Sequence, residues 1–440
     1  MNTSMNNPPS PAFSALPPEA VHTAIVVGAG PAGLFAAEQL SAARHDVLLC
    51  DHMAVPARKL LMAGKSGLNI THDEPEGVFL SRYGSSAPFM AAALKSFTPA
   101  DLRSWAAGLG EESFSGTSGR VLIQSAKATP LLRAWRSRLE GQGVRFEGRR
   151  RLVALSPLPP NRPDGARLEL LFEGPGGEPH LMLARTAILA MGGGSWARLG
   201  SDGRWTGLFK GHANAIAPFQ PANCGFVPDW QPEDTARHEG DTLRGVELRS
   251  AGEQARGDII ITKAGWEGRP LYALTPQLRA QLSQPGPAPA KAVAHLDLRP
   301  NLTDKAVLER LQAQRPRESR SNRLRKALKL TSLERSLLAL FAPDARTDTA
   351  LAHAIKNLPV RFTATEPLDR AISTAGGLKW DQLDRNLMLR ATPGLFACGE
   401  MLDWEAPTGG YLLQGCFSTA HHCAEGVKHW LQQTPPGETP

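Results

Sequence analysis

Three glycines and one carboxylate carry the clearest chemistry in this 440-residue chain. Gly28, Gly30 and Gly33 form G-x-G-x-x-G, and Asp51 stands 21 residues after Gly30. Gly28 permits a tight turn, Gly30 lets backbone approach a pyrophosphate, and Gly33 lets a helix pack closely on a strand. The phosphates would rest on free N–H groups at the positive end of the helix dipole. The Asp51 carboxylate can accept hydrogen bonds from a ribose diol. A glycine turn alone also occurs with nothing bound. Here an apolar strand (Ala24–Val27), a small-residue helix running to about Ala43 and an acidic strand end (Val47–Asp51) accompany it, which predicts an adenine dinucleotide, NAD or FAD.

Further glycine-rich strand ends follow. The apolar run from Thr186 ends in Gly192, Gly193 and Gly194, which reads either as a strand bulge or as backbone bared to a ligand. Near the C-terminus, Leu395–Cys398 leads into Gly399-Glu400, and Gly409-Gly410 opens a small-residue helix from about Leu412 to Val427. The segment Ala57–Glu74 is a basic loop or a helix and turn crossing the cofactor, with Arg58 or Lys59 near phosphates and Gly64 and Gly67 against a ring. A nicotinamide dehydrogenase usually completes its site in one continuous unit. Here Gly399 lies 369 residues after Gly30, beyond an insertion. A long cofactor gripped by both ends of the chain accounts for that split, and FAD fits. Glu400 would then meet ribityl hydroxyls, and the Gly409–Leu412 amides would face the flavin edge that gains negative charge on reduction.

The intervening elements predict an α/β protein with a discontinuous dinucleotide-binding domain. Thr98 caps a helix to Leu109, a second helix spans Ala128–Glu140, and a strand begins at Val144. Strands Leu152–Leu155, Arg167–Phe172 and His180–Ala184 read as an antiparallel meander laid over the parallel sheet. From 205 to 360 the character changes to strand-like pieces (Asn223–Val227, Gly245–Leu248, Asp258–Thr262, Val293–Leu298) around a helical pattern, Pro270–Leu282. Arg310–Leu330 carries eight Lys or Arg and one acid, and an apolar helix, Leu333–Phe341, follows. The expected organisation is a tail 1–20, the first part of the cofactor domain 21–204, an inserted β and helical domain 205–360 (helical subdomain about 265–345), the second part 361–430 and a tail 431–440.

Composition narrows the class. At 42% hydrophobic and 21% charged the chain is of ordinary globular type, and no apolar run approaches the ~20 residues that cross a bilayer. The N-terminal stretch lacks the basic start and apolar core of a signal peptide. Five scattered cysteines without C-x-x-C argue against a disulfide framework or a zinc site and suit a reducing cytoplasm. Twelve histidines show no paired ligand spacing, so no metal is expected. A net charge of +7 serves solubility or attraction to phosphate backbones. The basic stretch lacks interleaved aromatics for base stacking, so a solvated helix face is the simpler reading and a nucleic-acid partner the alternative.

The chain resembles the BaiN/RdsA-type flavoproteins, also called aminoacetone oxidase family FAD-binding enzymes. The resemblance rests on VVGAGPAG, RKLLMAGKSGLNITH, LAMGGGSWARLGSDG, GDIIITKAGWEGRPLYAL, ISTAGGL and LFACGEMLDWEAPTGGYLLQGCFSTA, and spans residues 23 to 427. It implies a two-dinucleotide-binding-type FAD domain with an inserted domain. Family members act in amine oxidation, enone reduction and uridine reduction in ribosomal RNA, so the resemblance leaves the substrate open. A related branch carries Arg-Cys-Asn where this chain has Gly67-Leu68-Asn69, and Leu68 cannot donate the proton that a thiol could.

The expectation is a non-covalent FAD held by Gly28, Ala29, Gly30, Pro31, Ala32, Gly33, Asp51, His52, Lys59, Gly64, Asn69, Leu152, Ala190, Met191, Gly192, Gly193, Gly399, Glu400, Thr408, Gly409, Gly410, Tyr411 and Leu412. Polar candidates near a substrate are Glu267, Arg269, Asp403, Glu405 and Tyr411, with Tyr411 placed close to the ring and acid/base roles unassigned. No second G-x-G-x-x-G marks an NAD(P)H domain, leaving NAD(P)H as a transient reductant or oxygen as the oxidant. Three classes of function follow: a small-molecule FAD oxidoreductase, an RNA-modifying flavoenzyme using Arg310–Lys329, and a non-catalytic flavin-binding or redox-sensing protein.

Overall fold

The computed structural model describes residues 21–63, 67–212, 214–285, 289–315 and 317–434. The expected tail 1–20, the end of the expected tail 431–440 and Gly64 lie outside them. Two compact units divide the chain, one running to Gln220 and resuming at Thr374, the other covering Pro221–Ser373. The division falls later than residues 205 and 361. Trp205 and Phe209 are buried in the core of the first unit, while strand Leu358–Thr365 closes the sheet of the second.

The first unit begins as its pattern requires. Strand β1, Val21–Val27, pairs in parallel with β2, Val47–Asp51, and helix α1, Pro31–Ala42, links them. Pro31 sits in the first turn of α1, where a missing N–H is no loss. The seven-stranded sheet runs Arg145–Gly148, β2, β1, Pro179–Leu189, Leu168–Glu173, Arg151–Pro157, and Leu395–Ala397 also pairs with Pro179–Leu189. Two expectations are corrected here. The meander extends the edge of the parallel sheet in its own plane rather than lying over it. The runs His180–Ala184 and Thr186 onward form one strand, whose first half pairs antiparallel with Leu168–Glu173 and whose second half pairs parallel with β1.

The last helix, Tyr411–Gln433, runs past the expected end at Val427, because Leu431 still packs into the core. A buried polar network ties α1 to its neighbours. Glu38, 4% exposed, accepts from Trp135 Nε1 at 2.6 Å, Trp105 Nε1 at 3.1 Å and Arg138 Nη1 at 2.9 Å. Its charge is fully partnered, as a buried carboxylate requires.

The second unit is a closed barrel in the order Phe226–Pro228, Trp266–Glu267, Glu253–Ile261, Thr242–Ser250, Ala292–Asp297, Leu358–Thr365. Its core is continuous with helices that include Ser332–Phe341 and Asp348–Lys356. The helical pattern expected over Pro270–Leu282 is broken at Leu274 into Arg269–Ala273 and Thr275–Leu282, with a proline in the first turn of each. In the basic stretch, Arg323 is held by Asp348 at 2.6 Å and Lys326 by Glu318 at 2.8 Å.

Among the described glycines of the first unit, Gly33 leaves the least room for a side chain. A Cβ there would lie 1.8 Å from the carbonyl oxygen of Gly28. Gly33→Ala is therefore expected to lower stability by about 1–3 kcal/mol through overpacking. Gly77→Ala is the control, since its Cβ meets nothing within 4 Å inside helix Glu76–Ser81. That change should leave stability equal or higher by about 0.5–1 kcal/mol. Urea denaturation of both variants checks the pair.

Candidate functional site

A cavity of about 380 Å³ opens where β1 gives way to α1. Gly28 makes the turn at φ +106°, and a side chain there would strike the carbonyl oxygen of Ala190 at 2.3 Å. Gly30 differs: a Cβ would meet nothing within 4 Å. The bare backbone at Gly30 faces open space and not a packed neighbour. With α1 beginning at Pro31, amide N–H groups of its first turn are left for an anion.

Of the expected cofactor residues, Gly28, Ala29, Gly30, Pro31, Ala32, Asp51, His52, Lys59, Leu152, Ala190, Met191, Gly192 and Glu400 all line this cavity. Gly33, Gly193 and Gly399 do not; they permit close packing instead. A Cβ would lie 2.4 Å from Thr374 Oγ1 at Gly193 and 2.7 Å from Ala32 Cβ at Gly399.

Asp51 is fixed at the end of β2. Its carboxylate accepts from the amides of Ala29 and Met53, each at 2.6 Å. His52 Nδ1 lies 3.7 Å from Asp51, and burial pulls the His52 pKa below its usual value against the opposing pull of Asp51. Lys59 bridges the other side. Its Nζ donates to Ser195 Oγ at 2.7 Å and to Glu400 Oε2 at 2.9 Å, while Glu400 Oε1 accepts from the Thr374 amide at 3.1 Å.

Sequence reasoning missed several lining residues: Met53, Arg151, Ser201, Asp202 and Cys416. Arg151 pairs with Asp202 at 3.0 Å. Ser201 is 6% exposed, and its Oγ has no hydrogen-bond partner. That orphaned hydroxyl, the bare Gly30 and the helix start make the cavity fit a ligand carrying both anionic and hydroxyl groups. The SDG turn after a glycine-rich stretch was the available signal for Ser201 and Asp202.

The remaining cofactor candidates gather elsewhere in the same unit. Asn69, Thr408, Gly409, Gly410, Tyr411 and Leu412 are not among the residues lining the cavity. Gly410, at φ +100°, lies against the backbone of Thr71, and Leu412 packs partly buried on the core. His72 Nδ1 lies 3.0 Å from the Gly409 carbonyl; that oxygen only accepts, so Nδ1 carries the proton. The His72 and Tyr411 rings stack at 5.0 Å. Tyr411 is 3% exposed and donates its phenol to Glu74 Oε1 at 2.7 Å. Asn69 Oδ1 and Thr71 Oγ1 are buried without partners.

Asp403 and Glu405 stand on the loop before this turn, and burial raises the Asp403 pKa. Glu267 and Arg269 belong to the second unit. Leu68 is 1% exposed in the core of the first unit, a packing position rather than a proton donor. Among the described residues no cluster of three His, Cys, Asp or Glu could hold a metal. Among them, too, no helix is long and apolar enough to cross a membrane.

The strand–turn–helix geometry and its acidic strand end define a Rossmann-type nucleotide-binding domain. The chain belongs to the HI0933-like protein Rossmann domain family, whose model matches residues 22–426. It is 26% identical over 419 residues to the ribosomal RNA dihydrouridine synthase of Escherichia coli, covering 92% of this chain and 97% of that one. It is 24% identical over 413 residues to the 3-dehydro-bile acid delta(4,6)-reductase of Clostridium scindens, covering 90% and 96%. Among solved structures, the open conformation of a flavocytochrome c3 fumarate reductase aligns with a TM-score of 0.48 at 15% identity, covering 94% of this chain and 79% of that one.

The Glu74 cluster makes a pH prediction. Burial raises the Glu74 pKa, but the bonds from Arg82 and Tyr411 outweigh it and leave a net lowering. A lowered carboxyl contributes stability above its unfolded pKa and loses it as pH falls through the folded value. Glu74→Gln should therefore reduce the melting temperature at neutral pH. The gap to the parent should close as pH falls through the acid range, in melts recorded from neutral pH downward.

Proposed function

We propose that the chain is an FAD-dependent oxidoreductase, with the ADP end of FAD in the cavity at Gly30. The observation that carries this reading is the convergence of an unobstructed Gly30, the first turn of α1, the Asp51 carboxylate and the unpartnered Ser201 hydroxyl on one cavity. Gly30 and the start of α1 would hold phosphates, and Asp51 a ribose. Glu400, Lys59 and Ser201 offer charged and hydroxyl groups to a polyol chain. The Gly409–Tyr411 turn opens a 23-residue helix whose positive end suits negative charge on a flavin. When bound, FAD supplies hydride transfer through N5, and the protein's part is to bind, orient and tune.

The substrate belongs to the class of small molecules with a reducible or oxidisable bond, and NAD(P)H is the proposed reductant. The Clostridium scindens relative is named a reductase, which supports that direction. The Escherichia coli relative is named for ribosomal RNA, and that name supports a second reading in which the basic stretch of the second unit engages RNA. A steep fall of RNA affinity with salt, abolished by neutralising Arg310, Arg315, Arg317 and Arg325, would favour it.

Anaerobic mixing of the FAD-loaded protein with NADH and NADPH separately tests the oxidoreductase reading. At least one nicotinamide should bleach the flavin absorbance, and a carbonyl or enone acceptor should restore it. Absence of bleaching by either, with no oxidase turnover in air, would leave a flavin-binding protein without this activity.

A further inference from the structure

Two carboxyl side chains of the second unit converge on one glycine. Glu366 follows strand Leu358–Thr365 and is 2% exposed. Glu267 ends the short strand Trp266–Glu267. A Cβ on Gly225 would lie 2.6 Å from Glu366 Oε1 and 3.0 Å from Glu267 Cγ. A Cβ on Gly265 would lie 3.3 Å from the same Glu366 oxygen. Both acids therefore crowd backbone that carries no side chains, and Glu366 Oε1 is buried there with no hydrogen-bond partner.

The surrounding groups do little to neutralise this pair. Tyr272, on helix Arg269–Ala273, donates its phenol to Glu267 Oε2 at 3.2 Å. Arg370 Nε stands 3.9 Å from Glu366 Oε2, on a side chain 56% exposed and bathed in solvent. The Cys224 thiol, pushed up to about 12 chiefly by burial, feels Glu366 as one more negative neighbour and stays protonated. An ionised carboxylate with a bare oxygen next to a second carboxylate is costly. The buried oxygen is closed to water and to larger cations. A proton is the cation that fits. Burial, followed by the charge of Glu267, raises the Glu366 pKa in agreement.

We propose that Glu366 and Glu267 hold one proton between them at neutral pH and form a proton-donor site in the second unit. Delivery breaks the Glu366 O–H bond and forms one on the Glu267 carboxylate, leaving Glu366 ionised; Glu267 then gives the same proton to a base. No electrons are exchanged. Glu267 is the exit because it is the more exposed of the two. Tyr272 is a positioning residue: its hydrogen bond orients the Glu267 carboxyl, and burial together with Glu267 keeps its own proton in place. The shared proton stands independently of the oxidoreductase reading.

Infrared spectroscopy of the full chain, with and without ¹³C-labelled glutamate, tests the site. At neutral pH the parent should show a protonated-carboxyl stretch that shifts on labelling and in D₂O. Glu366→Gln should lose it, and in Glu267→Gln it should titrate away at lower pH than in the parent. A parent protein without the band at neutral pH, or a band unchanged in Glu366→Gln, overturns the proposal. Should Glu366→Gln not fold, the parent band and its shifted titration in Glu267→Gln decide the matter. Flavin absorbance on the same samples separates the two ideas: a colourless, folded protein that keeps the band retains the proton pair and contradicts the FAD reading.

Discussion

Gly33 and the carbonyl of Gly28 meet so closely that no side chain fits between helix α1 and the end of β1. This contact sets the entry of α1 on the sheet and aims its first amides past the strand ends. Ligands in open α/β sheets collect there, because backbone donors and a dipole converge where strands stop. A side chain at Gly28 would meet the Ala190 carbonyl oxygen at 2.3 Å, and one at Gly399 the Ala32 Cβ at 2.7 Å, so these strand ends too favour glycine. The cavity lies where β1 gives way to α1, with the bare backbone of Gly28, Gly30 and Gly192 in its wall.

Charge inside the first unit is disposed to keep that arrangement. Asp51 spends its carboxylate oxygens on the amides of Ala29 and Met53, tying the end of β2 to the glycine turn. Lys59 joins Ser195 and Glu400, the latter 341 positions further along the chain than Lys59, so both arms of the discontinuous unit share one ion pair. Glu38 does the same for α1 and its helical neighbours through two indoles and a guanidinium. A buried charge of this kind contributes more to a single arrangement of elements than to net stability, since its desolvation offsets much of the gain.

Much of the first unit was legible because its signals are local. The strand, three glycines, small-residue helix and Asp51 lie within 31 residues of Val21, and each has a distinct physical job. The same holds for Thr98, whose capping box with Asp101 opens helix Pro99–Ala107. What escaped depends on contacts distant in sequence. Strands of three and two residues at Phe226–Pro228 and Trp266–Glu267 carry no readable alternation, so the barrel they close was seen only as scattered strand-like pieces. The strand Pro179–Leu189 changes partner midway, which split it in two on paper. Arg151 reaches the cavity from a sheet edge with nothing in its immediate neighbours to mark it, and Ser201 from a loop whose SDG turn is a weak signal. Tyr411 sits in the predicted turn, yet its phenol is committed to Glu74, a partner that no spacing rule suggests.

The most direct measurement is titration of the purified protein with FAD, followed by flavin fluorescence and by the melting temperature, alongside Gly30→Val. A Cβ at Gly30, which lines the cavity, meets nothing within 4 Å, so the variant should fold as the parent does. The account predicts quenching of the flavin and a rise in melting temperature for the parent, the stabilisation reaching about 2.7 kcal/mol at a hundredfold excess over Kd, with both effects lost in Gly30→Val. Equal binding by the two folded proteins, or none by either, would contradict it.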